Sequence, residues 1–290
     1  VGSEMCIRDS PNFSKKNAYE TSAKVCSMLH NMGFGVMCDE ALKEHFPKAG
    51  YVEFKPISRA AEECDLIIAV GGDGTILEAS EYAAGFNKLL LGINTGRLGF
   101  MASMETDELY NLSKLMSGNY TVENRMMLDC EFVQGDKSEH FTALNDIVIS
   151  AQYARLSDFY VTANGAEVSS VRADGLIFST PTGSTAYALS AGGPILEPDL
   201  ECILMTPVCP HSLVSRPMLF STGKKLEVTH KTRDSISLCL SVDGRMSGSL
   251  GRDDKIIVSK SDKLLRLIDI TGNSFYNAVN RKLINPIKGM

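Results

Sequence analysis

Several features are missing from this chain, and each absence removes a class of protein. No long basic run appears, and the formal net charge is −6. Nucleic acid is therefore not the expected partner. No apolar stretch approaches the ~20 residues that span a bilayer, so no membrane partner is expected either. The five histidines show no HExxH spacing, which leaves a zinc site unsupported. Eight cysteines are scattered at Cys6, Cys26, Cys38, Cys64, Cys130, Cys202, Cys209 and Cys239, and none forms a CxxC pair. That pattern reads as packed thiols in a reducing, cytoplasmic setting rather than a disulfide framework. There is no internal repeat and no low-complexity segment. The first ten residues, Val1 to Ser10, lack the apolar core of a signal peptide, strand alternation and a helical period. They are expected to contribute nothing to a sheet.

What remains is ample for a core: 290 residues, 44% of them hydrophobic, enough for one large domain or two ordinary ones. From Lys15 to Met32 a helical period runs through Ala18, Val25, Leu29 and Met32, and Gly33 is placed to end it. Phe34, Val36 and Cys38 alternate as a strand, and a shorter helix is expected over Arg59 to Cys64. Leu66 to Val70 and Leu89 to Ile93 are short apolar runs, the mark of strands buried in a parallel sheet. Strands alternating with helices predict an α/β domain, one strand short because the leader occupies the place before Pro11.

The texture changes after Tyr120. Leu128, Cys130 and Phe132 alternate, as do Phe159, Val161 and Ala163 before Asn164-Gly165, a hairpin signal. Leu226, Val228 and His230 follow, then Ile236, Leu238, Leu240 and Val242. Many short strands predict an all-β second domain. Phe275, Val279 and Leu283 then share one face of a terminal helix that can return to the first domain.

Three runs carry chemistry. The first is Gly71-Gly72-Asp73-Gly74-Thr75, between the Leu66–Val70 strand and a helix expected to begin near Ile76. Glycines admit a phosphate close to the backbone, and a helix N-terminus offers free N–H groups. A carboxylate repels phosphate, so Asp73 either takes a proton from an acceptor hydroxyl, holds a metal, or is a turn residue. The second run, Asn94 to Phe100, follows the next strand and contains Arg97, which reads as a solvated loop residue able to meet a phosphate. The third spans Asp174-Gly175 and Ser179-Thr180-Pro181-Thr182-Gly183-Ser184-Thr185-Ala186-Tyr187, continuing past Ser190. An N-cap explains one hydroxyl, but five are present, which favours a ligand site holding Thr182 and Thr185, with Tyr187 stacking on a ring. Asn145-Asp146 can pair with a purine edge and a ribose hydroxyl, or form a strand-entry turn. His211 is a weaker candidate, and Asp243-Gly244 reads as a turn.

Together these motifs resemble the NAD kinase family over nearly all of the chain from Pro11 onward. The first motif is shared with diacylglycerol-type lipid kinases and phosphofructokinases, whereas the third is far more specific. The resemblance implies an α/β donor-binding domain over 11–118, a β-rich NAD-binding domain over 119–271, and a terminal helix over 272–290 packing back. It implies ATP and NAD as substrates, Mg²⁺ or another divalent cation, phosphate transfer to the adenosine ribose 2′-hydroxyl, and a homo-oligomer, dimer or tetramer. Gly71, Gly72, Gly74 and Thr75 would hold the donor phosphates, and Asp73 matches the family's proposed base. Asn145, Asp146, Asp174, Thr185, Ala186, Tyr187 and Ser190 match NAD-contacting positions. No residue is assigned as a metal ligand. A lipid kinase and a non-catalytic dinucleotide sensor are the alternatives.

Overall fold

The protein is described as a computed structural model over residues 4–9, 16–46, 50–96, 99–151, 156–231, 237–272 and 275–284, with side chains from Ala18 to Leu283. Arg97, Ile236 and positions 285–290 of the expected terminal helix lie outside the described residues. Two compact units divide at Asn124/Arg125 and again at Leu264/Leu265.

The first unit is a parallel sheet. In chain order its elements are β1 (Glu4–Asp9), α1 (Lys16–Asn31), β2 (Gly35–Asp39), β3 (Val52–Lys55), α2 (Ile57–Glu63), β4 (Leu66–Gly71), α3 (Asp73–Gly85), β5 (Leu89–Asn94), β6 (Met104–Glu105) and α4 (Lys114–Ser117). The strand order β5-β4-β1-β2-β3 reverses direction beside β1, and every pair is parallel. All six residues of β4 are buried, as a continuous apolar run in an interior strand requires. Helix α1 ends as expected. Gly33 takes φ +86°, its N–H reaches the His30 carbonyl at 2.9 Å, and the Phe34 N–H reaches that of Leu29 at 3.1 Å.

Two expectations are corrected here. The leader does supply a strand: β1 pairs with β2 from Glu4↔Gly35 to Ile7↔Cys38, and with β4 from Met5↔Leu66 to Asp9↔Val70. Parallel pairing is made by backbone groups, so a six-residue interior strand needs no alternation, and the apolar triplet Met5-Cys6-Ile7 between charged ends was enough. Helix α3 begins at Asp73, not near Ile76. The Gly72 carbonyl accepts from the N–H groups of Thr75 at 3.0 Å and Ile76 at 3.2 Å, which places the acid inside the first turn.

The second unit is a β-sandwich. Its elements are β7 (Thr121–Gln134), β8 (Lys137–Ala143), β9 (Asp146–Ala151), β10 (Ser157–Ala163), β11 (Ala166–Ala173), β12 (Gly175–Ser179), α5 (Tyr187–Ser190), β13 (Cys202–Val208), β14 (Met218–Ser221), β15 (Leu226–Lys231), β16 (Leu238–Val242), β17 (Arg245–Leu250) and β18 (Lys255–Asp269). One sheet runs β14-β13-β12-β9-β16-β17, antiparallel throughout. The other contains β11-β10-β15-β18, with β7 and β8 beside it. Alternate residues of both meet in one core that includes Leu128, Phe159, Val161, Ile149, Phe178 and Leu240. Asn164 (φ +50°) and Gly165 (φ +82°) form the expected hairpin turn between β10 and β11.

From Leu265 the chain belongs to the first unit again: Arg266 and Leu267 of β18 pair in parallel with Leu89 and Leu90 of β5, and α6 (Phe275–Val279) and a π turn over Asn280–Ile284 follow. Of the apolar face expected there, Phe275 and Val279 are half-buried but Leu283 is 40% exposed. Its neighbour Lys282 turns inward instead. A π turn carries more residues per turn than the 3.6 on which the expectation rested.

Candidate functional site

The strands place the glycine run. Gly71 ends β4 and is paired with Asn94 at the end of β5, and the Thr95 N–H donates to the Gly71 carbonyl at 3.1 Å. Both loops thus leave neighbouring strands at their carboxyl ends, beside the point where the strand order reverses. The glycines differ in purpose. A Cβ on Gly71 would meet Thr75 Oγ1 at 2.3 Å, so this glycine lets the turn close on its own helix. Gly72 and Gly74 face open space, with nothing within 4 Å of a Cβ. Backbone exposed at the head of a 13-residue helix is what a phosphate group needs.

Asp73 sits at that helix start, where a negative charge is favoured by the helix dipole. Its Oδ2 accepts from the Phe100 N–H at 3.0 Å and its Oδ1 from the Met101 N–H at 3.4 Å. A Cβ on Gly99 would lie 1.7 Å from Asp73 Oδ1, so the second loop leaves room for this carboxylate by omitting a side chain. Lys282 Nζ stands 3.8 Å from Asp73 Oδ2. Asp73 is therefore more than a turn residue: two backbone donors and an ammonium hold it.

The second unit assembles a separate cluster. Asp146 begins β9 opposite Ser179 of β12, next to Ile147, which pairs with Val242 of β16. The turn after β16 contains Asp243 (φ +49°) and Gly244 (φ +76°), as the turn reading expects. Its side chain also does something the sequence reading missed. The Asp243 carboxylate accepts from the N–H groups of Leu144 at 2.8 Å, Asn145 at 2.8 Å and Asp146 at 3.0 Å, and its own N–H returns to the Asp146 carbonyl at 2.9 Å. Asp243 thus fixes the backbone that presents Asn145 and Asp146. Asp146 is 5% exposed. Burial, and then the nearby Asp243 charge, push its carboxyl up to about 7. Burial also raises the Asp243 carboxyl, against the three N–H groups that favour its charge.

The hydroxyl-rich run lies beside this cluster. The Thr180 N–H donates to the Asn145 carbonyl at 3.0 Å, and a Cβ on Gly183 would lie 2.0 Å from that oxygen. The reasoning from surplus hydroxyls is corrected: three of the five are engaged by the protein itself. Thr180 Oγ1 donates to the Leu144 carbonyl at 2.6 Å and accepts from the Gly183 N–H at 3.0 Å. Ser184 Oγ donates to the Pro181 carbonyl at 2.7 Å and accepts from the Leu196 N–H at 2.9 Å, and Thr185 Oγ1 donates to the Thr182 carbonyl at 3.1 Å. Ser179 is buried without a partner among the described residues, and Thr182 is buried. Thr185 and Ala186 are half-buried, while Tyr187, 45% exposed, and Ser190 face outward.

Asp174 is not brought to this group. It precedes β12, whose far end carries Ser179 opposite Asp146, so about five residues of strand, roughly 17 Å, separate them. His211 is exposed in the loop after β13, its N–H on the Arg172 carbonyl at 2.8 Å. Among the described residues no three His, Cys, Asp or Glu side chains come together as a metal cage, and no helix is long and apolar enough to cross a membrane.

Comparison with known proteins agrees with these motifs. Residues 10–120 match the ATP-NAD kinase N-terminal domain and residues 144–270 the ATP-NAD kinase C-terminal domain. A NAD kinase of Saccharophagus degradans is 36% identical over 96% of this chain and 95% of its own length. One from a Thermoanaerobacter species is 37% identical over 94% and 96%. Among solved structures, a NAD kinase from Archaeoglobus fulgidus in complex with ATP has a TM-score of 0.67 at 25% identity, covering 98% of this chain and 97% of that one. Yeast NADH kinase complexed with NADH shares the fold, with a TM-score of 0.88 at 24% identity over 100% of this chain and 89% of that one. With both family domains matched and relatives aligned along almost its whole length, this chain belongs to the NAD kinase family.

Proposed function

We propose that this protein transfers the γ-phosphoryl group of ATP to the 2′-hydroxyl of the adenosine ribose of NAD, giving NADP. The observation that carries the reading is the open glycine turn with a fixed acid at its head. Gly72 and Gly74 present bare backbone, and Asp73 is held beside it by the Phe100 and Met101 N–H groups. Phosphoryl transfer relies on positioning and on charge stabilisation, and such a turn supplies both. Gly71, Gly72, Gly74 and Thr75 hold donor phosphates. Asp73 orients the acceptor hydroxyl or takes its proton.

The acceptor is assigned to the second unit. Asn145 and Asp146, braced by Asp243, meet the adenosine. Thr182, Thr185, Ala186, Tyr187 and Ser190 line the same region, with Tyr187 available for stacking. Asp174 is assigned no contact with the same adenosine, because the strand separates it from Asp146.

A divalent cation fits only as a partner of the donor. The protein offers Asp73 as the acid at the turn, and Mg²⁺ is commonly held by one or two carboxylates together with substrate phosphates. When bound, it would neutralise charge on the phosphates. A homo-oligomer is proposed on the resemblance to the family alone, and the scattered cysteines support a cytoplasmic setting. The lipid-kinase and sensor readings have no observation in their favour. A coupled assay for NADP formation from ATP and NAD tests the proposal. Steady turnover is expected, and binding of NAD without turnover would leave a sensor.

A further inference from the structure

Lys282, whose ammonium stands beside Asp73, has no part in the reaction proposed above. It lies on the π turn that follows α6, close to the end of the described chain. A lysine at such a place ordinarily reaches into water, because ordering its long stem costs entropy. Here Nζ is 4.1 Å from the centre of the Phe100 ring and 3.8 Å from Asp73 Oδ2. The side chain is 26% exposed; burial pushes its ammonium down and the adjacent Asp73 carboxylate offsets part of that. The turn is tied a second time next door, where Arg281 meets Glu105 of β6 at 3.1 Å.

Stability does not explain this arrangement well. Partly exposed ion pairs contribute little, and 3.8 Å is beyond a hydrogen bond. What the contact does is geometric. The Asp73 carboxylate receives N–H groups from Phe100 and Met101 on one side, and Lys282, seated on the ring of that same Phe100, closes another. An acid that must meet a hydroxyl loses effectiveness steeply when it is misplaced, by as much as about 10²-fold for an ångström.

We propose that Lys282 is a positioning residue for phosphoryl transfer, which holds the Asp73 carboxylate at the head of the glycine turn from its seat on Phe100. The terminal turn is then part of the catalytic apparatus of the first unit. This rests on the kinase reading above.

The test is a double-mutant cycle on the whole protein. Lys282→Met keeps an apolar stem on Phe100 and removes the charge. We expect kcat to fall by about 10–100-fold, with KM for ATP and for NAD each within about threefold. Lys282→Arg should retain most of the turnover. The melting temperature should move by no more than about 2 °C, as for a surface change. In an Asp73→Asn background, adding Lys282→Met should alter the residual kcat by less than about twofold, because its effect passes through Asp73. A merely structural side chain would not vanish in that background. Should Lys282→Met fail to fold, Lys282→Gln takes its place in the cycle. The role is overturned by unchanged kcat, by additive losses, or by a rise in the KM for ATP with kcat intact, which would make Lys282 a phosphate ligand. Absence of turnover in the unmodified protein overturns the kinase reading itself, and is distinguishable because it is measured first.

Discussion

Two loops of this protein are built from the same small residues and use them in opposite ways. The run from Gly71 to Thr75 leaves its backbone bare: Gly72 and Gly74 have empty space before them, and the acid between them is held from outside by another loop. The run from Thr180 to Tyr187 turns inward. Thr180, Ser184 and Thr185 donate to neighbouring carbonyls, and Gly183 makes room for the Asn145 carbonyl rather than for a ligand. A glycine or a hydroxyl in a ligand-binding motif can therefore serve the ligand directly, or build the wall that the ligand meets. Changes at Gly72, Asp73 and Gly74 should remove activity and spare stability, whereas changes at Thr180, Gly183 and Ser184 should cost stability first.

The largest effect is expected at the exposed acid. Asp73→Asn should lower kcat by roughly 10²–10⁴, equivalent to about 3–5 kcal/mol of barrier, with NAD affinity within a few-fold. Near-normal turnover would erase the contrast between the loops. Gly183→Ala should be the counterpart. A methyl group 2.0 Å from a backbone oxygen forces the chain to move, at a cost of roughly 3 kcal/mol or more by denaturant titration. Gly74→Ala, facing open space, should leave the midpoint almost unchanged.

A pH profile of the ligand-free protein sharpens the picture within the second unit. The Asp146 carboxyl rises to about 7 in the fold from its usual value of 3.8. The native state then keeps a proton that the unfolded chain releases, so stability falls as pH rises from about 4 to about 7. Between pH 5 and 8 this amounts to roughly 2–3 kcal/mol. The difference in melting temperature between Asp146→Asn and the unmodified protein should become more favourable to the variant with rising pH; a constant difference would show that Asp146 is charged throughout. Ser184→Ala should cost about 1–2 kcal/mol, because it leaves the buried Leu196 N–H unpaired. Tyr187→Ala should barely change the melting temperature yet weaken NAD binding; the reverse would place the ring in the core.

Much of the fold was legible because buried parallel strands announce themselves: Leu66–Val70 and Leu89–Ile93 read as apolar runs, and the strands Leu66–Gly71 and Leu89–Asn94 are buried almost throughout. The Glu4–Asp9 strand was not legible, since only Met5-Cys6-Ile7 of its six residues form an apolar run. The glycine turn was visible as a local string. The contacts that fix its acid were not, because Phe100, Met101 and Lys282 reach Asp73 through the tertiary fold. Asp243 was read correctly as a turn, but its brace on Asn145 and Asp146 joins residues 97 and 98 positions apart. The hydroxyls of the third run were counted correctly and their directions misjudged, since composition does not say which way an Oγ points.

The most direct test of the central claim is product identification. Purified protein is incubated with ATP, NAD and Mg²⁺, and the product is examined by phosphorus NMR. The account predicts equal amounts of ADP and NADP, with the new phosphate on the adenosine ribose 2′-oxygen, and roughly 10²–10⁴-fold slower formation by Asp73→Asn. Phosphate at any other position, or equally fast formation by Asp73→Asn, would contradict it.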